Sequence, residues 1–398
     1  MKKNNILLLP GDGVGPEIMS EAIKILDLFN SMKIIDVTTT EVFYPDVMAI
    51  EDGTLSSEHS SSGKSQLFVH IKTNLGIEGL GIGQASPGVR EIIETGLKMI
   101  LINQDPLDIE YIWTQMYRRV RSYGRKGVAL CAISAIDIGL WDLKAKILQL
   151  PLYKLLGPYT DKIPVYGSGG WTNLSESDLV ESMLRYVEMG FTRIKMKVGK
   201  DYGKSEREDI SRVQSVRKAI GNDVALYIDA NTAYYVKQAI YMAKEFEQMQ
   251  VGWFEEPTIP DDISGLAEIR SKINIPVATG ELEYTKFGFK QLLQNQAADI
   301  IQPNVGRVGG ITEWLKIANL AQAFNVQIAP HACLLIHLHL ACSQPNIKAI
   351  ESVDTEHELD KVLYIEIPQP ENGTITPFPD KPGLGLELNP YSLQKWSI

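Results

Sequence analysis

FTRIKMK (191–197), VALYID (224–229), VGWFE (251–255), PVATGE (276–281), DIIQPN (299–304), VQIAPH (326–331) and IKAIE (347–351) are seven short apolar runs, each closing on a polar residue suited to chemistry. The closing residues are Lys197, Asp229, Glu255, Glu281, Asn304, His331 and Glu351. Asp229, Glu255 and Glu281 follow one another at intervals of 26 residues, room for one strand, one helix and two short connections. Right-handed crossovers with short loops return such a unit to the same height on the neighbouring parallel strand, so residues one interval apart come to lie side by side. With IPVYGSGG (163–170) as a further strand the count is eight. That count predicts a closed barrel whose strand ends share one mouth.

The 398 residues allow two domains with sizeable cores. Charged residues make up 22% and hydrophobic residues 44%, an ordinary soluble composition. With 49 acids against 39 bases the net charge is −10, which argues against a nucleic-acid partner. The three cysteines, Cys131, Cys333 and Cys342, are too few and scattered for a disulfide framework or a zinc site, as expected in a reducing cytoplasm. No stretch reaches the length of a membrane span, and the apolar run Ile6–Leu9 is too short for a signal-peptide core.

Outside the barrel the pattern changes. VTTTEVFY (37–44) and SQLFVHIKTNLGIEGLGIGQ (65–84) alternate as antiparallel strands do, and three helical runs follow, the last being ALCAISAIDIGLWDLKAKIL (129–148). A sheet followed by helices makes an α+β domain. The turn-rich stretch between, FYPDVMAIEDGTLSSEHSSSGKS (43–65), is a candidate lid. The expected organisation is a strand–turn–helix segment over 1–32, an α+β capping domain over 33–160, the barrel over 161–365, and a Pro- and Gly-rich return to the capping domain over 366–398. Ser175, with Asp178 three residues on, predicts a helix start, and Gly190 its stop.

Three carboxylates converging on one point raise one another's pKa unless a cation joins them. An all-oxygen set, without His or Cys, favours Mg²⁺ over zinc. Lys195 and Lys197 are one residue apart and so point to one face of their strand. Side by side they are expected to lower each other's pKa, leaving one to bind a carboxylate and the other to take a proton. His331, one interval past Asn304, is expected in the same mouth, across from the lysines. His337 and His339 read as structural, and His59, His70 and His357 have no companions.

KMK (195–197), IDAN (228–231), EEP (255–257), TGE (279–281), IIQPNVGRVGGITE (300–313) and APH (329–331) together resemble the enolase superfamily, within it the mandelate racemase branch of the mandelate racemase and muconate lactonising group. LGIEGLGIGQ (75–84) and AIDIGLWDLKAKILQLPLYKLLG (135–157) extend the resemblance to the capping domain. It implies an α/β fold, a modified (β/α)7β TIM barrel under an α+β cap, binding one Mg²⁺ through Asp229, Glu255 and Glu281. It further implies Lys197 as the base that removes a proton α to a substrate carboxylate and Lys195 as the electrostatic partner of that carboxylate. His331 is implied as the acid or base on the opposite face, Glu351 as the group that hydrogen-bonds the enediolate oxygen, and Asn231 and Glu256 as neighbours of the ligands. Superfamily members run this chemistry with Lys or His bases and Mg²⁺. LPGDGVGPE (9–17) resembles instead the start of isopropylmalate-type dehydrogenases, and nothing downstream continues it.

Where the family usually has Asp as partner to the His, this chain has Asn304. Asn is expected to accept the imidazole N–H without bringing charge, making His331 the weaker base and the readier donor. The expected activity is therefore dehydration of an acid sugar, with racemisation or epimerisation of a 2-hydroxy acid as the alternative. A catalytically silent binding protein that keeps the fold is a third reading, and a nicotinamide-dependent dehydrogenase a fourth without downstream support. The expected partner is a small carboxylate, with the enzyme a homo-oligomer, the default for soluble enzymes. Specificity is expected from the lid and from Tyr166 and Trp171.

Overall fold

The computed structural model describes residues 18, 20, 32–56 and 62–398. The expected strand–turn–helix segment over 1–32 and the lid residues 57–61, His59 among them, lie outside the described residues, apart from 18, 20 and 32. Strands β1 (Ile34–Tyr44), β2 (Lys64–Thr73) and β3 (Glu78–Gln84) form an antiparallel sheet. A helical stretch over 89–101 follows, then α1 (Ile109–Val120) and α2 (Val128–Ile147).

Helix α2 is buried almost all round, between this sheet and the barrel. Its backbone runs flush against β3, where a Cβ on Gly79 or Gly81 would collide with the carbonyl oxygens of Gly139 and Ala135. That close approach explains the alternate glycines of β3. On its other side Asp137 accepts from the Thr312 backbone N–H at 2.8 Å and hydroxyl at 2.6 Å, and Ser134 Oγ accepts from Gly309 N–H at 2.9 Å. Those bonds fix the cap to the barrel.

The barrel alternates β4 (Ile163–Ser168), α3 (Glu176–Glu188), β5 (Arg193–Lys197), α4 (Glu206–Ile220), β6 (Ala225–Asp229), α5 (Val236–Glu247), β7 (Val251–Glu255) and α6 (Ile263–Lys272). It continues with β8 (Val277–Thr279), α7 (Thr285–Gln294), β9 (Ile300–Ile301), α8 (Gly310–Ala323), β10 (Gln327–Ile328), α9 (Leu334–Cys342), β11 (Ile350–Val353) and α10 (Asp354–Leu363). Neighbouring strands pair in parallel from β4 to β10, and β11 pairs with β4. The ring closes where Ile328 N–H donates to Asn346 O at 2.9 Å and Lys348 N–H to Ile328 O at 2.8 Å. Ser175 caps α3 by accepting from Asp178 N–H at 3.2 Å, and Gly190, at φ +85°, follows the helix end. The chain finishes with β12 (Thr374–Ile375) and α11 (Pro390–Trp396), the Ile398 N–H donating to Glu41 O of β1.

Strands β8, β9 and β10 stop short of the residues that close their runs. Gly280 turns the chain at φ +126°, and Pro303 and Pro330 have no N–H for a ladder. Glu281, Asn304 and His331 therefore stand on loops at the mouth, while Lys197, Asp229 and Glu255 end their strands.

Candidate active site

The register sets Lys197 opposite Asp229, and Asp229 opposite Glu255, on adjacent strands. Glu281 joins them from the loop after β8, and one oxygen from each of Asp229, Glu255 and Glu281 lies within 4.8 Å of the others. All three are buried. Burial and the charge of Asp229 push both Glu255 and Glu281 above the usual carboxylate range. Burial works against the charge of Asp229 too, but Lys197 and Lys195 overcome it and hold its pKa low. Glu281 Oε2 has no hydrogen-bond donor aligned on it, although His331 Nε2 lies 3.2 Å away. Three converging buried carboxylates with one orphaned oxygen fit a hard divalent cation, the group that relieves their repulsion.

Lys195 is wholly buried, its Nζ 2.5 Å from Glu255, 2.8 Å from Glu351 and 3.5 Å from Asp229. It sits among these carboxylates rather than on the cavity wall. Lys197 Nζ lies 2.5 Å from Asp229 and 5.3 Å from the centre of the Trp171 ring, and it does line the cavity. The expected net lowering of the two lysine pKa values is not what this geometry produces. Burial lowers both, and the charge of Lys195 lowers Lys197 as expected, but Asp229 for Lys197, and Glu255 and Glu351 for Lys195, outweigh these and raise both. Burial would raise Glu351, but Lys195 holds it well below the carboxylate range, and its Oε2 accepts from Ala332 N–H at 2.8 Å.

His331 faces the mouth from the far side, with β6 to β9 between β5 and β10 one way and β4 and β11 the other. Its partner Asn304 works in the opposite sense to the expected one. Asn304 Oδ1 is taken by the Gly306 N–H at 2.8 Å, which turns its Nδ2 donor onto His331 Nδ1 at 2.9 Å. Nδ1 then accepts, so the imidazole carries its proton on Nε2, the nitrogen that faces Glu281. Burial holds the ring neutral, with its pKa down to about 3. The structural role expected of His337 and His339 is observed: His337 spans Val305 N–H at 3.1 Å and Ala332 O at 2.7 Å, and His339 spans Tyr153 N–H and Leu384 O. His70 has companions after all, Glu78 at 2.6 Å and Thr40 at 3.3 Å.

A cavity of about 440 Å³ opens over the site, and Lys197, Asn231, Glu281, His331 and Glu351 all line it. Cap residues form its roof, Ile50 and Asp52 from the candidate lid among them. That loop is tied down at both sides: Thr172 N–H donates to Glu51 O at 2.9 Å, and Thr54 Oγ1 donates to Asn231 O at 3.1 Å. Trp171 lines the cavity, but Tyr166 lies below it, fully buried against Tyr227 and Trp253. Sequence reasoning also missed Arg307, which donates to Glu281 O at 2.9 Å and lies 3.5 Å from its Oε1. Left-handed backbone at Asn231, Glu256 and Ala332 marks the same rim, a strain that collects at functional sites.

Residues 38–157 match the family model described as the mandelate racemase / muconate lactonizing enzyme N-terminal domain, and residues 178–392 the one described as enolase C-terminal domain-like. Arabinonate dehydratase of Saccharolobus solfataricus is 32% identical over 363 residues, 89% of this chain and 96% of that protein. A solved racemase from Streptomyces coelicolor A3(2) with bound magnesium superposes with a TM-score of 0.85 at 31% identity, covering 92% of this chain and 100% of that one. L-talarate/galactarate dehydratase from Salmonella typhimurium LT2, liganded with Mg and L-lyxarohydroxamate, superposes with a TM-score of 0.85 at 32% identity, covering 92% and 93%.

Proposed function

The chain belongs to the mandelate racemase and muconate lactonizing enzyme group of the enolase superfamily, and from that premise we propose that it is a Mg²⁺-dependent acid-sugar dehydratase. The observation that carries the reading is the convergence of Asp229, Glu255 and Glu281 beside Lys197, with His331 turned to present a proton from the other side. Asp229, Glu255 and Glu281 would hold the ion, which supplies Lewis-acid stabilisation of charge developing on the substrate carboxylate.

Lys197 owes its raised pKa to Asp229, and a cation held by Asp229 would share that charge and so bring the proton affinity of Lys197 down toward that of a working base. Its amine then takes the proton α to the carboxylate. The β-hydroxyl leaves as hydroxide that accepts a hydrogen bond from the His331 Nε2–H and takes its proton from solvent, the resulting enol ketonises to a 2-keto-3-deoxy acid, and Lys197 returns its proton to solvent. Lys195 keeps Glu351 ionised and holds Glu255 in place, and Glu351 faces the cavity where the enediolate oxygen would lie. Racemisation by two bases needs a lone pair on His331 Nε2, and Asn304 leaves a proton there.

Incubation with Mg²⁺ and a stereochemically complete set of acid sugars tests the reading by mass spectrometry. Loss of water from at least one acid is expected. Exchange of the α-proton in D₂O with no loss of water from any acid would replace dehydration with racemisation.

A further inference from the structure

The far end of the cavity is built differently from the metal end. Strands β7 and β11 stand four apart either way round the eight-strand ring, so α10, which follows β11, flanks the mouth across from Glu255. Glu356 and Asp360, one turn apart on α10, face the cavity there, together with Tyr364 and, from the cap, Lys64, Gln66 and Gln84. Lys64 is the one cation among them, and it already lies 3.4 Å from Glu356 Oε1. Glu356 is fixed from behind by the Cys333 N–H, at 3.0 Å from its other oxygen. Asp354, on the first turn of the same helix, also draws on the charge of Lys64. Lys361, next along α10, is exposed and does not line the cavity.

Among the described residues, Glu356 and Asp360 thus share the Lys64 ammonium at this end of the cavity. Burial, and then Glu356, push Asp360 up to about 8 despite Lys64, so this end resists even its own second negative charge. Two glutamine amides, a tyrosine and carboxylate acceptors suit hydroxyl groups, which both donate and accept.

We infer that the far end of the cavity selects polyhydroxy monocarboxylates, whose chain ends in an uncharged hydroxymethyl group, and rejects dicarboxylates, whose second carboxylate would face Glu356 and Asp360. The inference rests on the proposed function for the direction of the substrate, carboxylate at the metal and carbon chain toward α10. It adds what the remote end must be.

The test uses two six-carbon acids of identical configuration at C2 to C5, one ending in CH₂OH and the other in a carboxylate. Each is titrated calorimetrically into the Mg²⁺-loaded Lys197→Ala protein, and turnover of each by the unaltered enzyme is followed separately. The monoacid is expected to bind at least about tenfold more tightly, since like charges juxtaposed without a partner are strongly unfavourable. Glu356→Gln, which frees Lys64 to meet a second carboxylate, should narrow that ratio by about tenfold, whereas Asp360→Asn, neutral like the protonated carboxyl it replaces, should leave it nearly unchanged. Equal or tighter binding of the diacid overturns the inference, as does a ratio that Glu356→Gln does not move. Absence of water loss with the binding preference intact removes the dehydratase reading alone, whereas water loss with the diacid preferred removes this inference alone.

Discussion

The barrel interior holds two layers built by the same strands and opposite in character. The lower is apolar: Tyr166, Tyr227 and Trp253 pack with Ala278, Ile300, Ala329 and Ala349, and the Tyr227 and Trp253 rings stack with centroids 3.5 Å apart. Two residues further on, on the same face of each strand, Asp229 follows Tyr227, Glu255 follows Trp253 and Glu351 follows Ala349. The lower layer closes the ring by packing. The upper buries four carboxylates against two ammonium groups, an arrangement that well-packed apolar side chains would often match or exceed in stability. Its charges are explained by chemistry, and the plug beneath carries the stability they forgo. A side-chain hydrogen bond links the layers, from Trp253 Nε1–H to Glu255 Oε2 at 3.0 Å, and the Lys195 ammonium lies 5.6 Å from the centre of the Tyr166 ring.

Removing a working group from the upper layer should cost activity and spare the fold. Lys197→Ala is expected to lower kcat by about 10⁴-fold, the upper range for a general base, with a urea midpoint near that of the parent protein when both are saturated with Mg²⁺, which replaces the lost ammonium beside Asp229. Full turnover in this variant would break the comparison at once. In the lower layer the balance reverses: Trp253→Ala should cost about 3–5 kcal/mol in urea unfolding through the cavity it leaves. A midpoint unchanged by that truncation would show that the plug does not carry the stability. The smallest expected effect sharpens the upper layer alone. Asn304→Asp supplies an acceptor for an Nδ1 proton and a negative charge, so the His331 pKa should rise from about 3, leaving Nε2 a lone pair. Deprotonated His331 is then the active base, and α-proton exchange should increase as pH rises through the new pKa. A profile indistinguishable from that of the parent protein would argue against the contact between residues 304 and 331.

Much of this was legible in the sequence because the period of a βα unit is geometric: equal intervals put Asp229, Glu255 and Glu281 together whatever the loops do. The cap helices were legible from their apolar spacing, and the α3 cap from Ser175. What stayed hidden depends on contacts that no local pattern encodes. The direction of the Asn304 amide is set by the Gly306 N–H, which competes for the oxygen that the imidazole was expected to use. The anchoring of Glu281 by Arg307 needs a loop folded back over the rim. Lys64 and Glu356 are 292 residues apart and meet only because the cap closes over the barrel. Tyr166, assigned to specificity by its nearness to a strand end, points into the lower layer instead.

The most direct measurement is calorimetric titration of Mg²⁺ into the unaltered protein, Lys197→Ala and Glu255→Gln. One ion per chain is expected in the first two, bound by Lys197→Ala at least as tightly because a repelling ammonium is gone, and no saturable uptake in Glu255→Gln. Magnesium binding by Glu255→Gln equal to that of the unaltered chain would contradict the assignment of the upper layer to a metal.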